Sequence, residues 1–400
     1  MSLNETVNAE RIHIGFFGLR NAGKSSLVNA VTGQQLSVVS DYKGTTTDPV
    51  KKAMELLPLG PVVIIDTPGI DDEGELGELR VKKAKETLSS TDIAVLVCDA
   101  ANGLSEWDRK LISMFDERKT PYVIACNKSD LLDTIPENSN NSVYVSATTG
   151  FGIEELKKLL GNFKETSANT KHIVADLLTP GDVVILVIPI DEAAPKGRLI
   201  LPQQQTIRDI LEAGCIPVCC RDAELTATLN SLNIKPKMVI TDSQAFGKVS
   251  KLVPCDIILT SFSILFARYK GDLKELIKGA SMLSKLKAGD KILISEGCTH
   301  HRQCGDIGSV KIPMWIEKFS GIRPEITLTS GGEYPDNLSE YKLCIHCGGC
   351  MLNEKEMQSR ITKAKEAGVP MVNYGIAIAH MHGILKRSLE VFPEMLSLLE

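Results

Sequence analysis

Short apolar runs alternate with longer amphipathic stretches along the first part of the chain. The runs show little internal alternation of apolar and polar residues, as expected of strands that are buried on both faces of a sheet. Five runs have this character, and they cover residues 12–17, 62–66, 93–98, 122–126 and 143–145. Helical patterns lie between most of them. The alternation predicts a parallel sheet covered by helices up to about residue 163.

A polar stretch at residues 164–171, rich in small side chains, separates this part from two further alternating segments. The second segment has apolar runs at residues 183–190, 217–220, 237–242 and 256–260, with helical patterns near 203–213, 222–232 and 243–251. The third begins near residue 270 with a helical pattern, followed by apolar runs at 291–295, 325–329 and 341–345, a helical pattern at 313–319 and two C-terminal helices. We therefore expect two smaller α/β units after the first.

The composition is that of an ordinary folded protein. Of the 400 residues, 43% are hydrophobic and 24% are charged, which excludes disorder as the dominant state. The formal net charge of −5 provides no basic surface for non-specific binding to nucleic acid. We therefore expect no nucleic-acid partner.

Neither a membrane span nor a signal peptide is visible in the sequence. The longest apolar run has about eight residues, whereas a membrane-spanning helix needs about 20. Residues 1–18 lack a basic region followed by an apolar one. We therefore expect a cytoplasmic protein without a membrane partner. Its 11 cysteines are then expected to be core residues, metal ligands or redox groups, because cytosolic thiols stay reduced.

Residues 18–25 fit the pattern G-x-x-x-x-G-K-S and lie between a predicted strand and a predicted helix. The glycines of this pattern let backbone N–H groups close around phosphates at a helix N-terminus. The Lys24 ammonium would bind the β- and γ-phosphates, and the Ser25 hydroxyl would bind Mg²⁺. The loop residues expected to contact the nucleotide are Gly18, Asn21, Ala22, Gly23, Lys24, Ser25 and Ser26.

The tetrapeptide D-T-P-G at residues 66–69 follows the next predicted strand. This position lets the Asp66 carboxylate hold Mg²⁺ through water and brings the Gly69 amide near the γ-phosphate. We therefore expect Lys24, Asp66 and Gly69 to take part in hydrolysis.

Two further motifs predict that the base is guanine. Residues 127–130 read N-K-S-D, and their Asp130 carboxylate would accept the N1 and N2 hydrogens of guanine, which adenine does not offer. Asn127 and Lys128 belong to the same motif, and Ser146-Ala147 would support the base with a backbone amide. The four motifs occur in order, each just after a predicted strand, which indicates a GTP site with GTP or GDP and Mg²⁺ as ligands.

With these motifs, residues 11–163 resemble the small GTPases of the Era/TrmE-like group. Residues 43–48, K-G-T-T-T-D, are similar to the G-T-T-R-D switch of that group, with Thr47 where arginine is usual. The resemblance implies that Thr46 binds Mg²⁺ and takes part in hydrolysis. Ile70 stands where other GTPases have a water-orienting glutamine, so another device has to assist hydrolysis.

In the TrmE-like relatives a potassium ion assists hydrolysis. The resemblance matches their potassium-binding asparagine with Asn21, and the backbone around Lys43 and Gly44 would complete the site. A simpler interpretation of Asn21 is a turn residue without an ion, because asparagine is a good turn former.

A second chemical pattern lies in the last third of the chain. Cys298-Thr299-His300 and His346-Cys347-Gly348-Gly349-Cys350 each follow a predicted strand. Cys-x-x-Cys spacing lets one tight loop present two sulfurs to one metal centre. The chemistry allows a structural zinc on three cysteines and one histidine, an iron-sulfur cluster on three cysteines with an exchangeable fourth ligand, or a dithiol redox pair.

Combined with an N-terminal GTPase, this pattern resembles the FeFe-hydrogenase maturation GTPases, the HydF family. The resemblance implies a 4Fe-4S cluster on Cys298, Cys347 and Cys350, with His300 or His346 as possible fourth ligand. It also implies a transient two-iron precursor with CO and cyanide ligands, made with two radical-SAM maturation enzymes and delivered to the FeFe-hydrogenase apoprotein. A homodimer formed through the middle domain is implied as well.

Several other residues have a structural explanation. We expect Cys344 to be a core residue, although it and Cys304 remain alternative ligands; His301 competes with His300. We also expect buried thiols at Cys215, Cys219, Cys220 and Cys255, and packing or surface roles for His380 and His382. Glu296 is a possible acceptor near the cysteine site or a strand-end charge, and we place it outside the site.

The patterns predict an α/β protein of three domains: a P-loop GTPase domain at residues 1–165, a linker at 166–178, a small parallel-sheet domain at 179–268 and a further α/β domain at 269–400. The resemblance implies that the second is a dimerisation domain and the third an iron-sulfur cluster domain. The expected function is a GTP-hydrolysing scaffold that carries a 4Fe-4S cluster and delivers the two-iron precursor. The alternative is a ribosome- or tRNA-associated Era/TrmE-like GTPase with a structural zinc module.

Overall fold

The computed structural model describes residues 8–35, 49–69, 75–139, 141–166, 171–190, 199–298 and 306–399. The chain divides into two compact units, Met1–Asn169 and Thr170–Glu400. Within the described ranges, no helix has the length and apolar character needed to cross a membrane.

The first unit is built on a six-stranded sheet. Its strands are β1 (Ile12–Phe17), β2 (Val50–Leu56), β3 (Gly60–Asp66), β4 (Ile93–Asp99), β5 (Tyr122–Asn127) and β6 (Ser142–Tyr144). Their spatial order is β2-β3-β1-β4-β5-β6. β2 pairs antiparallel with β3, whereas the pairs from β3 to β6 are parallel. The carboxyl ends of these parallel strands therefore meet at one edge of the sheet, where ligands of such sheets bind.

Four helices belong to this sheet, namely α1 (Lys24–Thr32), α2 (Glu75–Ser89), α3 (Glu106–Glu117) and α4 (Ile153–Thr166). α3 begins at a capping box, in which the Ser105 hydroxyl accepts the Asp108 amide and the Asp108 carboxylate accepts the Ser105 amide. α1 begins directly after the left-handed Gly23. The central strands are almost wholly buried, as their apolar runs predicted.

The sequence did not predict β2. Lys51, Lys52 and Ala53 of this strand are exposed, because β2 is an edge strand that pairs with β3 alone. Its mixed composition therefore lacks the apolar run by which the inner strands were found.

Two four-stranded parallel sheets form the second unit. The first has β7 (Val183–Val187), β8 (Ile216–Cys220), β9 (Met238–Thr241) and β10 (Ile258–Ser261) in the order β10-β9-β7-β8. The second has β11 (Lys291–Glu296), β12 (Glu325–Ser330), β13 (Leu343–His346) and β14 (Met371–Asn373) in the order β12-β11-β13-β14. The mixed α/β fold class is confirmed.

Helices connect and cover these strands. They are α5 (Leu201–Glu212), α6 (Leu225–Ser231), α7 (Phe246–Val249), α8 (Phe262–Lys270), α9 (Leu273–Ala280), α10 (Ile312–Ser320), α11 (Glu354–Glu366), α12 (Tyr374–Met381), α13 (Leu385–Ser388) and α14 (Pro393–Leu396). Side-chain caps fix the starts of α8 by Ser261, α9 by Asp272, α11 by Asn353 and α12 by Asn373.

The two sheets of the second unit share one hydrophobic core. Val184 and Ile240 of the first sheet belong to the same buried cluster as Ile294 and Ile345 of the second. Helices α8 and α9 lie between the two sheets in the sequence, and Leu265 of α8 belongs to this cluster too. The two α/β segments after the GTPase part therefore pack into one compact unit, although each has its own sheet.

Two expectations for the second unit were wrong. The C-terminal region contains the short strand β14 between α11 and α12, where only helices were expected; three residues are too few to give a periodic pattern. Cys219 and Cys255 are exposed and Cys220 is half-buried, whereas Cys215 is buried as expected. The cause for Cys219 is its position on the edge strand β8.

Candidate functional site

The loop at residues 18–25 joins β1 to α1, and its glycines stand where a side chain has no room. A Cβ atom on Gly18 would lie 2.2 Å from the Val97 carbonyl oxygen of β4, and one on Gly23 would lie 2.3 Å from the Asn127 Nδ2 of β5. Both glycines also have positive φ angles, 142° and 85°. The loop is therefore drawn against the carboxyl ends of β4 and β5, as the phosphate-binding motif requires.

The Lys24 side chain points into this loop. It is buried, and its Nζ donates to the carbonyl oxygens of Gly18 at 3.1 Å and Leu19 at 2.8 Å. An ammonium group held at the mouth of a loop of backbone amides has the position and charge needed to bind a phosphate.

Ser25 and Asp66 meet beside the loop. The Ser25 Oγ donates a 2.6 Å hydrogen bond to Asp66 Oδ2. The second oxygen of the carboxylate, Oδ1, is buried and has no hydrogen-bond partner within the described part of the chain. A hydroxyl and a carboxylate with an unused oxygen are the donor set of a Mg²⁺ ion and its water ligands, so the residues present fit that ion.

Gly69 closes the same side of the site. A Cβ atom at this position would lie 2.7 Å from the Arg20 Cα of the phosphate loop. The backbone that follows β3 can therefore approach the loop only because residue 69 is a glycine.

Asn127 ties three segments together at the end of β5. Its Nδ2 donates to the Ala22 carbonyl at 3.0 Å, and its Oδ1 accepts the Ala147 amide at 3.1 Å. The Ser146 hydroxyl accepts the Thr149 amide at 3.1 Å, which shapes the turn after β6. The Asn127 side chain thereby connects, by hydrogen bonds, the phosphate loop and the segment predicted to support the base, Ser146-Ala147, which we call the base loop.

Lys128 and Asp130 lie beyond Asn127. Lys128 has a left-handed backbone, and its Nζ donates to Asp99 Oδ2 of β4 at 2.7 Å. This hydrogen bond helps to hold the pKa of Asp99 below its usual range, against the opposing effect of its desolvation. Asp130 is exposed on the short turn Ser129–Leu131, where its carboxylate can meet a guanine base.

Part of the predicted site lies outside the described residues, namely Lys43, Gly44, Thr46, Thr47 and Ile70. Of the predicted potassium ligands, Asn21 is described: it is exposed and has a φ angle of 60°. This angle accords with the turn-forming role of asparagine.

The cysteine pattern lies at the carboxyl ends of two neighbouring strands. β11 and β13 are adjacent and parallel, and Ser295 is paired with His346. Cys298 follows the end of β11 by two residues, and Cys347 follows β13 directly. Strand pairing therefore brings the two motifs together, although 45 residues separate them in the sequence.

The Cys347 sulfur accepts two backbone hydrogen bonds, from the Gly297 amide at 3.0 Å and from the Gly349 amide at 3.4 Å. Burial raises the pKa of Cys347 to about 12 and that of Cys298 to about 11, and the charge of Cys350 adds to both shifts. The three thiols therefore influence one another electrostatically and belong to one site. Amide donors aimed at a sulfur stabilise a thiolate, the form that binds a metal.

Among the described residues, no group of three or more His, Cys, Asp or Glu side chains is arranged to hold a metal ion. A single zinc ion would draw four ligands to one point. A 4Fe-4S cluster takes its thiolates on separate irons. Its sulfur ligands can therefore lie farther apart than the ligands of a single zinc ion. The donor set of three thiols, with N–H groups directed at one of them, fits such a cluster.

His346 has both ring nitrogens engaged. It is fully buried, its Nδ1 lies 2.8 Å from the Cys347 carbonyl oxygen, and its Nε2 lies 3.0 Å from Arg360 Nη1. Burial lowers the pKa of His346 to about 3, so the ring is neutral. In this arrangement His346 holds the backbone of Cys347, and neither nitrogen is open to a further ligand. His300, His301 and Cys304 lie outside the described residues.

Comparison with protein families covers most of the chain. Residues 13–128 match the 50S ribosome-binding GTPase model, residues 173–271 the hydrogen maturase F dimerization domain and residues 274–391 the hydrogen maturase F tetramerization domain. The two hydrogen maturase F models together span more than half of the 400 residues. The chain belongs to the hydrogen maturase F family. The resemblance expected from the sequence is thereby confirmed, and the tetramerization domain adds an assembly level that the sequence did not predict.

Individual relatives match the GTPase part. The tRNA modification GTPase MnmE of Clostridioides difficile is 34% identical over 173 residues, 39% of this chain and 37% of the relative. GTPase Der of Kosmotoga olearia is 33% identical over 166 residues, 37% of each chain. A crystal structure of Era with MgGDPNP and 16S ribosomal RNA covers 53% of this chain and 94% of its own, at 19% identity and a TM-score of 0.34; we draw nothing from it.

The chain thus spans little more than a third of the length of these curated relatives. What it has in common with them is a GTPase domain, while the rest of the chain is that of the hydrogen maturase F family. The matches together place a GTPase domain and the dimerization and tetramerization domains of the hydrogen maturase F family in one chain.

Two basic residues of this hydrogen maturase F chain were missed by sequence reasoning. Lys270 is buried at the end of α8 and donates to the carbonyl oxygens of Cys350 at 3.2 Å and Leu352 at 3.0 Å. Arg360 is buried on α11 and binds His346. Nothing in their local sequence marks them, because their partners come from segments distant in the chain.

Three other expectations near the cysteine site can be compared directly. Cys344 is fully buried in β13, as expected of a core residue, and the Tyr334 hydroxyl lies 3.6 Å from its sulfur. Glu296 is buried at the end of β11 and accepts a 3.3 Å hydrogen bond from Tyr374. His380 and His382 lie against the rings of Phe319 and Trp315, which accords with the packing role.

Proposed function

We propose that this protein is a GTP-hydrolysing scaffold that holds a 4Fe-4S cluster and assembles or delivers a two-iron precursor, with CO and cyanide ligands, to FeFe-hydrogenase. The observation that carries the proposal is the presence, in one hydrogen maturase F chain, of a complete set of strand-end GTP motifs and of three thiols at adjoining strand ends. Neither a structural zinc module nor a GTPase alone accounts for both.

The residues of the first unit bind and orient the nucleotide. Lys24 and the amides of the loop bind the β- and γ-phosphates, Ser25, Thr46 and Asp66 hold Mg²⁺, and the Gly69 amide lies by the γ-phosphate. Asp130 accepts the N–H groups of guanine, and Ala147 donates its amide to the base. Hydrolysis gives GDP and phosphate. Asn21 and the backbone of Lys43 and Gly44 would hold a potassium ion, which would supply a positive charge that stimulates hydrolysis.

The residues of the second unit hold the cluster. Cys298, Cys347 and Cys350 would be its thiolate ligands, and the amides of Gly297 and Gly349 stabilise the Cys347 thiolate. When bound, the cluster supplies an iron with an exchangeable fourth position. For that position we favour His300 over His346, because the nitrogens of His346 are engaged by Arg360 and by the Cys347 carbonyl.

GTP then serves partner docking and not the iron chemistry. The nucleotide motifs and the cysteines belong to different compact units, and GTPases commonly order and release switch loops between their GTP and GDP states. We propose that this change controls docking of two radical-SAM maturation enzymes and of the FeFe-hydrogenase apoprotein. The scaffold works in the cytoplasm as a homodimer that associates further through the tetramerization domain, without a membrane or a nucleic-acid partner.

Metal analysis combined with electron paramagnetic resonance tests this proposal. The full chain is purified and reconstituted without oxygen, as the wild type, as Cys298→Ser and as Cys219→Ser, a control with an exposed thiol on the edge strand β8. We expect about four irons per chain and a reduced-cluster signal in the wild type and the control, and loss of both in Cys298→Ser. Stoichiometric zinc without that signal would overturn the scaffold and favour a ribosome- or tRNA-associated GTPase.

A further inference from the structure

Two cysteines face each other in the sheet of the first unit, away from the cysteine site already described. Cys98 of β4 and Cys126 of β5 are direct partners in the parallel pairing of these strands. Their sulfur atoms are 3.6 Å apart, and the Cys98 thiol donates to the Cys126 sulfur. Neither residue belongs to a GTP motif. Cys126 directly precedes the N-K-S-D motif, and Cys98 precedes Asp99, which binds Lys128 of that motif.

The backbone geometry suits a covalent bond between these sulfurs. Neighbouring strands lie about 4.8 Å apart, which falls in the range of Cα separations, about 4.4–6.8 Å, that disulfides bridge. Paired residues of parallel strands also direct their side chains to the same face of the sheet. A disulfide would require the sulfurs to approach one another by about 1.5 Å.

The residues that follow the pair belong to the nucleotide site. Asp99 follows Cys98 and accepts the 2.7 Å hydrogen bond of Lys128, and Asn127 follows Cys126 and holds both Ala22 and Ala147. Val97 comes just before Cys98, and its carbonyl oxygen is the atom that a Cβ atom on Gly18 would meet. A displacement of these strand ends would therefore shift both the phosphate loop and the base loop.

We propose that Cys98 and Cys126 form a reversible disulfide under peroxide, and that this bond weakens guanine-nucleotide binding. The inference rests on the GTP function proposed above. It adds an oxidation-sensitive control of the nucleotide site.

The reaction balances with hydrogen peroxide as the oxidant. Cys126 is half-buried and Cys98 is only 2% exposed, so peroxide reaches Cys126 first. The Cys126 thiolate attacks the peroxide, the O–O bond breaks, and a sulfenic acid and hydroxide form. The Cys98 sulfur then attacks the sulfenic sulfur, the S–S bond forms, and the hydroxyl leaves as water with the Cys98 proton. A small dithiol reverses the step by exchange.

The environment of Cys126 favours its role as the attacking group. The hydrogen bond from the Cys98 thiol lowers the pKa of Cys126. The same hydrogen bond, together with burial, raises the pKa of Cys98. The more accessible of the two sulfurs is therefore the one that loses its proton more readily.

The test compares the full chain before and after treatment with hydrogen peroxide. Binding of a fluorescent GDP analogue is titrated for the wild type, for Cys98→Ser, for Cys126→Ser and for Cys220→Ser, a control with a half-buried thiol in the second unit. Peptide mapping by mass spectrometry locates any cross-link. In the wild type and the control we expect a Cys98–Cys126 cross-link and a loss of affinity of about tenfold or more, both reversed by dithiothreitol. Each of the two serine variants should keep its affinity.

Binding of the GDP analogue by the reduced wild type distinguishes failure of the proposed GTP function from failure of the proposed redox control. If the reduced wild type fails to bind the GDP analogue, the GTP function itself is wrong. If it binds normally but peroxide produces no Cys98–Cys126 cross-link, or a cross-link without loss of affinity, the redox control is wrong and the GTP function stands. An equal loss of affinity in the serine variants would likewise overturn it, because oxidation would then act elsewhere.

Discussion

Arg360 Nη1 donates a 3.0 Å hydrogen bond to Nε2 of His346 in the interior of the second unit. A ring nitrogen that accepts from a guanidinium group has no proton of its own, so the imidazole proton lies on Nδ1 and is donated to the Cys347 carbonyl. Arg360 of helix α11 thus positions Cys347, the first residue of the Cys-x-x-Cys loop, through the His346 imidazole. Arg360 is therefore a positioning residue for that loop.

Substitution of Arg360 should destabilise the second unit strongly. Its guanidinium also binds the Gly331 carbonyl at 2.6 Å and Glu356 at 2.9 Å. Arg360→Met would leave the buried His346 and these two half-buried groups without their partner, and we expect a loss of about 2–4 kcal/mol in the free energy of unfolding. Urea denaturation of the full chain measures it. Lys363→Met, on the same helix but more exposed, is the control, and equal effects of the two changes would contradict the positioning role.

Gly23 and Gly33 allow the cost of a positive φ angle to be separated from the cost of crowding. Both have left-handed backbones, but a Cβ on Gly33 would meet nothing within 4 Å, whereas one on Gly23 would lie 2.3 Å from Asn127. Gly33→Ala should lower stability by about 1 kcal/mol and leave nucleotide binding unchanged. Gly23→Ala should in addition lower GDP affinity by about tenfold or more, because Asn127 has to move.

Thermal unfolding and titration with a fluorescent GDP analogue measure the two effects on the same preparations. Similar losses of GDP affinity in both variants would show that the contact between Gly23 and Asn127 is unimportant for the nucleotide site.

The sequence was most informative where a motif directly follows an apolar strand. Asp66 and Asn127 end two inner strands of the first sheet, and because parallel strands share a carboxyl edge, the order of the motifs in the sequence was enough to bring them to one place. The same reasoning joined Cys298 and Cys347 before the pairing of β11 with β13 was known.

The remaining features depend on contacts that a linear pattern does not contain. The edge strand β2 has half-polar composition, and the Cys98–Cys126 pair depends on the register of two strands. Lys270 and Arg360 look like ordinary surface residues of helices, yet each is buried because backbone carbonyls or a ring nitrogen from distant segments satisfy its charge.

Asn21 offers a direct test of the proposed potassium site. Asn21→Gly retains a residue that tolerates the φ angle of 60° and removes the side-chain amide. If the amide binds potassium, the wild type should hydrolyse GTP faster in KCl than in NaCl, and the variant should lose this difference. Steady-state phosphate release in the two salts measures it. A variant that kept the potassium effect would show that Asn21 serves only the turn.

The GTP site and the cysteine site lie in different compact units. We therefore expect that GTP hydrolysis and cluster binding can each be lost without the other. In Lys24→Ala the ammonium that binds phosphate is absent, so GTP hydrolysis should fall by about 100-fold or more, while iron content and the reduced-cluster signal stay unchanged. Lys157→Ala is the control, since Lys157 lies on α4 and pairs with Glu154. Phosphate release and metal analysis are measured on the same samples.

The reverse change is Cys347→Ser, which removes the sulfur that accepts the Gly297 and Gly349 amides. It should abolish the cluster signal and leave the rate of GTP hydrolysis within about twofold of the wild type, because a change confined to one unit does not alter ligands in the other. Cys344→Ala is the matched control, a buried thiol in β13 three residues before Cys347, and it should retain the cluster. Loss of the cluster in Lys24→Ala, or of hydrolysis in Cys347→Ser, would instead mean that GTP and the cluster are coupled in the isolated protein, and that docking of a partner is not needed to connect them.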